Sequence, residues 1–187
     1  MIHIIIGRQG SGKTLFAVRM AYEEHKKGKT IYSNVKLNFP HKPMNYNDII
    51  DCKYEDAVVL IDEAHQLLSS RASMSKVNKE ICDSFLSMIR KKSINLICTT
   101  QTLRKIDIRL YEEASYNYLC SKFGYIKNKF VEIVSDINLP LDVPIMIKVV
   151  RFDTFSGEAN EIFFSGNELF ELYDTKQIIR IKGLDDV

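Results

Sequence analysis

The sequence predicts an α/β fold, a mainly parallel sheet flanked by helices, and three stretches carry that prediction. The apolar run Ile2 to Ile6 meets a glycine-rich turn and then Leu15-Phe16-Ala17-Val18, so a strand turns directly into a helix. Ala57 to Ile61 is apolar without alternation, which fits a strand buried on both faces, as in a parallel sheet. Ile94 to Cys98 is another short buried strand, preceded by a helical pattern with Ile81, Phe85, Met88 and Ile89 on one face.

In chain order, the first helix is expected over residues 13–27. Lys26 and Lys27 suit its C-terminal dipole, and Gly28 stops it. Thr30 to Ser33 reads as a short strand, and Asn34 to Asn47, with Pro40 and Pro43, as an irregular segment. Residues 64–70 begin a helix that gives way to a polar loop, Ser69 to Lys76; the next helix runs from about Asn78 to Lys91. Arg104 to Glu113 is a loop with a short helix. Ser115 to Phe123, Phe130 to Val134 and Ile145 to Phe152 read as β-segments. Turns at Lys127-Asn128, Leu139-Pro140 and Asp153 to Gly157 join them into an antiparallel extension at the C-terminal side. Asn167 to Leu172 is a helical turn, and Gly183 to Val187 frays.

A chain of 187 residues is expected to form a single domain over 1–187. Residues 1–110 would be a nucleotide-binding core and 111–187 the β-rich extension. A net charge of +2 neither indicates nor excludes a nucleic-acid partner. Cys52, Cys82, Cys98 and Cys120 form no CxxC pair and read as reduced thiols of a cytoplasmic protein. No secretory leader is expected ahead of a strand that begins at residue 2. The longest apolar runs are too short to cross a bilayer, so no transmembrane segment is expected.

The turn after the first strand is Gly7-Arg8-Gln9-Gly10-Ser11-Gly12-Lys13-Thr14. Strand, glycine-rich turn and helix in that order is the setting of a phosphate-binding loop. Its backbone N–H groups point inward at phosphate oxygens and the helix N-terminus adds partial positive charge. Lys13 would reach the β- and γ-phosphates of ATP, and the Thr14 hydroxyl would ligate Mg²⁺. The Ala57 to Ile61 strand ends in Asp62-Glu63-Ala64-His65, at the edge where open α/β sheets place ligands. There Asp62 would hold Mg²⁺ and Glu63 would be the base that polarises the attacking water. Thr99-Thr100-Gln101 ends the next strand, and the Gln101 amide is the candidate γ-phosphate sensor; a polar loop without nucleotide contact is the alternative.

These motifs together resemble the FtsK–HerA superfamily. Tyr32-Ser33-Asn34, Arg90-Lys91-Lys92, Asp107-Ile108-Arg109 and Tyr173-Asp174-Thr175 add to the resemblance. Within it the chain is most similar to small genome-packaging ATPases of viruses with internal membranes, and it also resembles zonular-occludens-toxin-like assembly proteins of filamentous phages. The resemblance is specific over residues 1 to about 110 and loose beyond. It implies a P-loop NTPase fold of the RecA/ASCE-like kind and a homo-oligomeric ring, hexamer or pentamer, that pulls double-stranded DNA through its centre without reading sequence. Carried over by position, Lys13 and Thr14 bind phosphate and Mg²⁺, Asp62 and Glu63 are the metal and base acids, and Gln101 is the sensor. Arg90 takes the place of an arginine acting on a neighbour's phosphoryl group, with Arg71, Arg104 and Arg109 as competitors. A capsid vertex or virion membrane protein is a further implied partner, and the host cytoplasm or the virion the implied location.

The phage assembly proteins carry a membrane span after the ATPase domain; its absence here weighs the expectation towards packaging. DNA contacts are sought at the loop with Arg71, Lys76 and Lys79 and at Arg104-Lys105. The letters Asp62-Glu63-Ala64-His65 match a DEAH-box helicase, but such helicases need two motor domains. A GTPase would need an Asn-Lys-x-Asp reader, and Asn128-Lys129-Phe130-Val131 lacks the acid. A small-molecule P-loop kinase and a nucleotide-gated scaffold remain as alternatives. The kinase needs no hydrolytic base, whereas Glu63 beside Asp62 supplies one.

Overall fold

The structure is a computed structural model, and it describes residues 1–51, 53–67, 76–126, 129–133 and 145–174. Among these, nine strands form one sheet: β1 (Ile2–Ile6), β2 (Thr30–Ser33), β3 (Lys42–Pro43), β4 (Ala57–Ile61), β5 (Asn95–Thr100), β6 (Tyr116–Ile126), β7 (Lys129–Glu132), β8 (Met146–Asp153) and β9 (Ala159–Ser165). The helices are α1 (Lys13–Lys26), α2 (Tyr46–Ile50), α3 (Lys76–Lys91) and α4 (Ile108–Glu112). Short 3₁₀ turns occupy Ala64–Gln66, Leu103–Lys105 and Asn167–Leu172.

The strand order is β3-β2-β4-β5-β1-β6-β8-β9, with β7 paired to β6. From β3 to β6 every pairing is parallel; β6–β8, β8–β9 and β6–β7 are antiparallel. The mainly parallel α/β sheet with an antiparallel C-terminal extension is therefore the observed fold. β5 lies between β1 and β4, in register Ile6↔Thr100 and Ile61↔Cys98. That register brings the carboxyl ends of all three strands to one edge.

The apolar run in β4 is explained by what covers it. Val59 and Ile61 face a core with Phe85 and Ile89 of α3 and Leu110 of α4. Val58 and Leu60 face the other core, with Leu15, Phe16, Val18 and Ala21 of α1. Successive side chains point to opposite faces, so a strand covered on both must be apolar throughout. Phe85, Met88 and Ile89 do pack on the sheet as the helical pattern requires, while the side chain of Ile81 lies outside the described residues.

Several elements differ from expectation. Residues 42–43 within the irregular segment add an edge strand beside β2, where Pro43 is tolerated because an edge need not donate. Tyr46–Ile50 forms a short helix because the Asn45 side chain caps it by accepting from the Asn47 N–H. Ala64–Gln66 is a 3₁₀ turn rather than the start of a longer helix. β5 runs on to Thr100, so Thr99 and Thr100 are fully buried strand residues. β9 was not expected, since its first half is polar and exposed and only Phe164 is buried. β6 joins the core directly, pairing parallel to β1 on one edge from His3↔Tyr116 to Ile6↔Leu119 and antiparallel to β8 on the other from Tyr116↔Asp153 to Phe123↔Met146. The expected polar loop around Arg71, the turns at 127–128 and 139–140, Thr175, the tail 183–187, Cys52 and the side chain of Cys82 lie outside the described residues. Cys98 and Cys120 are buried free thiols, and burial pushes both pKa values up. Among the described residues no helix is long and apolar enough to cross a membrane.

Candidate nucleotide and metal site

The loop from Gly7 to Thr14 joins the carboxyl end of β1 to the N-terminus of α1. Gly12 caps that helix with φ +91°, a conformation that glycine adopts without strain. A Cβ there would also stand 2.6 Å from Ile147 Cδ1, so the extension strand β8 backs the loop. The loop curls on itself: the Ser11 N–H donates to the Arg8 carbonyl at 3.2 Å, and Lys13 Nζ donates to the same carbonyl at 2.9 Å. Lys13 is buried, which holds its ammonium over the loop. The first turn of α1 carries no acidic residue to oppose its positive end. Arg8, Gln9 and Gly10 are exposed; Ser11 is buried, and among the described residues its hydroxyl has no hydrogen-bond partner.

Asp62 follows β4 and is almost fully buried. Thr14 Oγ1 donates to its carboxylate, 2.9 Å from Oδ1 and 3.1 Å from Oδ2, and Thr99 Oγ1 donates to Oδ1. Burial raises the Asp62 pKa; the Thr99 and Thr14 hydroxyls oppose that shift by stabilising the charged form. Thr14 and Asp62 thus offer adjacent hard oxygen donors beside a phosphate loop. That set fits Mg²⁺, which takes one or two carboxylates and otherwise keeps water and substrate phosphates. Among the described residues no group of three His, Cys, Asp or Glu is placed to hold a metal ion.

Glu63 adopts the left-handed conformation, φ 52° and ψ 48°. Its N–H donates to Thr99 Oγ1 at 3.0 Å, and its carbonyl accepts from the Gln66 N–H at 2.9 Å. Glu63 Oε2 stands 3.1 Å from His65 Nδ1, and among the described residues neither of these buried atoms has a hydrogen bond. Tyr173, in the turn after the last 3₁₀ segment, bridges Leu37. Its phenol is pushed up to about 12, first by burial and then by the charge of Asp62.

Gln101 lies just past β5 at the same edge, exposed, and its Oε1 accepts from Lys105 Nζ at 3.3 Å. With Arg8, Gln9, Lys122 and Glu132 it lines a cavity of about 350 Å³ beside the loop. Arg90 is elsewhere. It ends α3 near the amino end of β5, close to the Met1 amino group, and donates to Glu113 Oε2 at 3.1 Å with its side chain 72% exposed. Arg109 is bound to Asp107, 2.6 Å from Nη2 to Oδ2, and holds that carboxyl below the usual range. Arg104 is exposed on the 3₁₀ turn, and Arg71 lies outside the described residues.

Two residues escaped assignment from sequence. Thr99, in sequence one of the polar residues that end β5, touches both acids. Asn34, in sequence the end of Tyr32-Ser33-Asn34, brackets the Asp62 backbone with its buried carboxamide. Asn34 Nδ2 donates to the Asp62 carbonyl and Asn34 Oδ1 accepts from the Asp62 N–H, both at 2.8 Å. A polar residue following a strand beside the acid-bearing strand was the available signal. Asn34→Ala strands both groups in a buried position, and loss of about 1–3 kcal/mol of stability is expected. Urea unfolding checks this as a lower midpoint with unchanged slope.

The family model for the ATPase family associated with various cellular activities (AAA) matches residues 3–118. Gene 1 protein of Enterobacteria phage I2-2 is 22% identical over 209 residues. That match covers 95% of this chain but 57% of the relative, so the chain spans little more than half the length of the curated relative it matches. Among solved structures, the N-terminal domain of zonular occludens toxin from Neisseria meningitidis superposes with a TM-score of 0.63 at 18% identity, covering 92% of this chain and 98% of the other. The genome packaging NTPase B204 from Sulfolobus turreted icosahedral virus 2, in complex with ATP-gammaS, gives 0.52 at 15% identity over 86% and 95%. Both share the fold. With its loop, acid pair and strand order, this chain belongs to the ATPase family associated with various cellular activities (AAA).

Proposed function

We propose that the chain is an ATP-hydrolysing motor of virus or phage assembly, a member of the FtsK–HerA superfamily that translocates double-stranded DNA. Residues 7–14 bind the phosphates of ATP, Thr14 and Asp62 hold Mg²⁺, and Glu63 is the base. Bound Mg²⁺ would supply charge neutralisation of the phosphates. Lys13 adds its buried ammonium to the same task, and Gln101 reads the γ-phosphate. One observation carries the reading. The Glu63 carboxylate directly follows the metal acid at the carboxyl end of β4, with its backbone N–H held by Thr99 Oγ1, which puts a proton acceptor next to the metal ligand. A kinase needs no base that activates water.

Arg90 lies away from the loop of its own chain, so any nucleotide it serves belongs to a neighbour, and a ring of copies is the simplest such arrangement. Support for a DNA cargo comes from the exposed Arg104-Lys105 turn, whose Lys105 is bonded to Gln101. Cations on that turn, repeated around a ring, would grip phosphates without reading bases. The named likenesses divide between the N-terminal domain of zonular occludens toxin and a genome packaging NTPase. The former covers more of both chains, which favours the zonular-occludens-toxin-like branch over packaging into a preformed capsid. That no described helix is long and apolar enough to cross a membrane does not weigh against it, because the match covers only 57% of the phage relative.

Duplex DNA of any sequence is expected to stimulate phosphate release. With two or more phosphates neutralised per site, the apparent DNA affinity should drop at least about tenfold between about 50 and 200 mM salt. Turnover that ignores both DNA and salt would rule out the motor reading.

A further inference from the structure

We propose that Thr99 is a positioning residue for the acid pair: one hydroxyl ties Asp62 to Glu63 and sets where both carboxylates stand. The inference rests on the reading of those two acids as metal ligand and base. Thr99 is fully buried in β5, the strand between the loop strand and the acid strand. Its Oγ1 donates to Asp62 Oδ1 and accepts the Glu63 N–H at 3.0 Å. A hydroxyl has one proton and two lone pairs. Committing the proton to Asp62 leaves the oxygen free to accept from Glu63, so the two bonds are compatible and each orients the other.

The consequence for Glu63 is conformational. A non-glycine residue at φ 52° persists only where its surroundings over-determine it. Here the peptide before Glu63 is anchored by Thr99, and the Glu63 carbonyl by the Gln66 N–H. Remove the first anchor and the direction of the Glu63 side chain is no longer set. The preceding residues Leu96, Ile97 and Cys98 are buried and apolar, so valine at position 99 would suit the strand in size and shape. What valine lacks is the hydroxyl. Thr99 touches neither the loop backbone nor Lys13 through these bonds; it acts through the two acids.

The test compares Thr99→Val with Thr99→Ser, using ATP turnover and titration with a fluorescent ATP analogue in Mg²⁺ or EDTA. In Thr99→Val, kcat should fall about 10- to 100-fold, and the gain in analogue affinity that Mg²⁺ confers should shrink about tenfold. Affinity in EDTA, which reads the loop alone, should match the parent. Thr99→Ser should restore both quantities to near-parent values. Unchanged kcat and Mg²⁺ gain in the valine variant overturn the proposal; so does a parallel loss of affinity in EDTA, or a serine variant as impaired as valine. If Thr99→Val does not fold, Thr99→Cys carries the same comparison with a weakened donor of similar size. A parent without turnover would sink the hydrolase reading, while the Mg²⁺ gain would still decide the role of Thr99.

Discussion

Glu63→Gln is expected to lower kcat for ATP hydrolysis by about 10²–10⁴-fold while leaving ATP binding intact. Glutamine keeps the shape of the side chain but cannot take a proton from water. The substitution leaves the contacts of the metal acid in place: Asp62 remains bonded to Thr14, Thr99 and Asn34. It also leaves the Glu63 backbone anchors in place, because both are main-chain groups. Binding and chemistry should therefore separate cleanly. Phosphate release measured beside titration with a fluorescent nucleotide checks this, and turnover at the parent rate would remove Glu63 as the base.

Gly7→Ala should impair the loop by a different route. An added Cβ would lie 2.4 Å from Ser11 Oγ and 2.7 Å from the Cys120 carbonyl oxygen. Ser11 can rotate aside; the Cys120 carbonyl belongs to β6, which is bonded between β1 and β8 and cannot yield alone. The loop must shift instead. Overpacking of this kind costs about 1–3 kcal/mol of stability. Displacement approaching an ångström at a positioned site lowers kcat/KM by about 10²-fold. Steady-state kinetics with thermal unfolding measures both, and a variant with parent kinetics would mean that the loop tolerates the contact.

The loop and the acid pair were legible in the sequence because each is local. Gly7 to Thr14 writes its turn, its cation and its hydroxyl into eight consecutive residues, and Asp62-Glu63 follow a strand whose burial is visible as an unbroken apolar run. Gln101 was legible in place but not in partner, since its bond to Lys105 depends on a 3₁₀ turn that no periodicity announces. The antiparallel extension was legible as strands; β9 was not, because an exposed edge strand needs little hydrophobic pattern.

By itself, then, the sequence determined a mainly parallel α/β sheet of the P-loop kind and placed a glycine-rich turn and an adjacent pair of acids at its strand ends. Only the tertiary structure decided what holds them. Thr99 and Asn34 converge on Asp62 from positions 37 and 28 residues away. Cys120 and Ile147 pack under Gly7 and Gly12, so the C-terminal extension shapes the loop at the other end of the chain. The physical reason is that these contacts are set by strand order and register. Backbone pairing between distant strands uses groups that every residue possesses, and so leaves little mark on which residues appear.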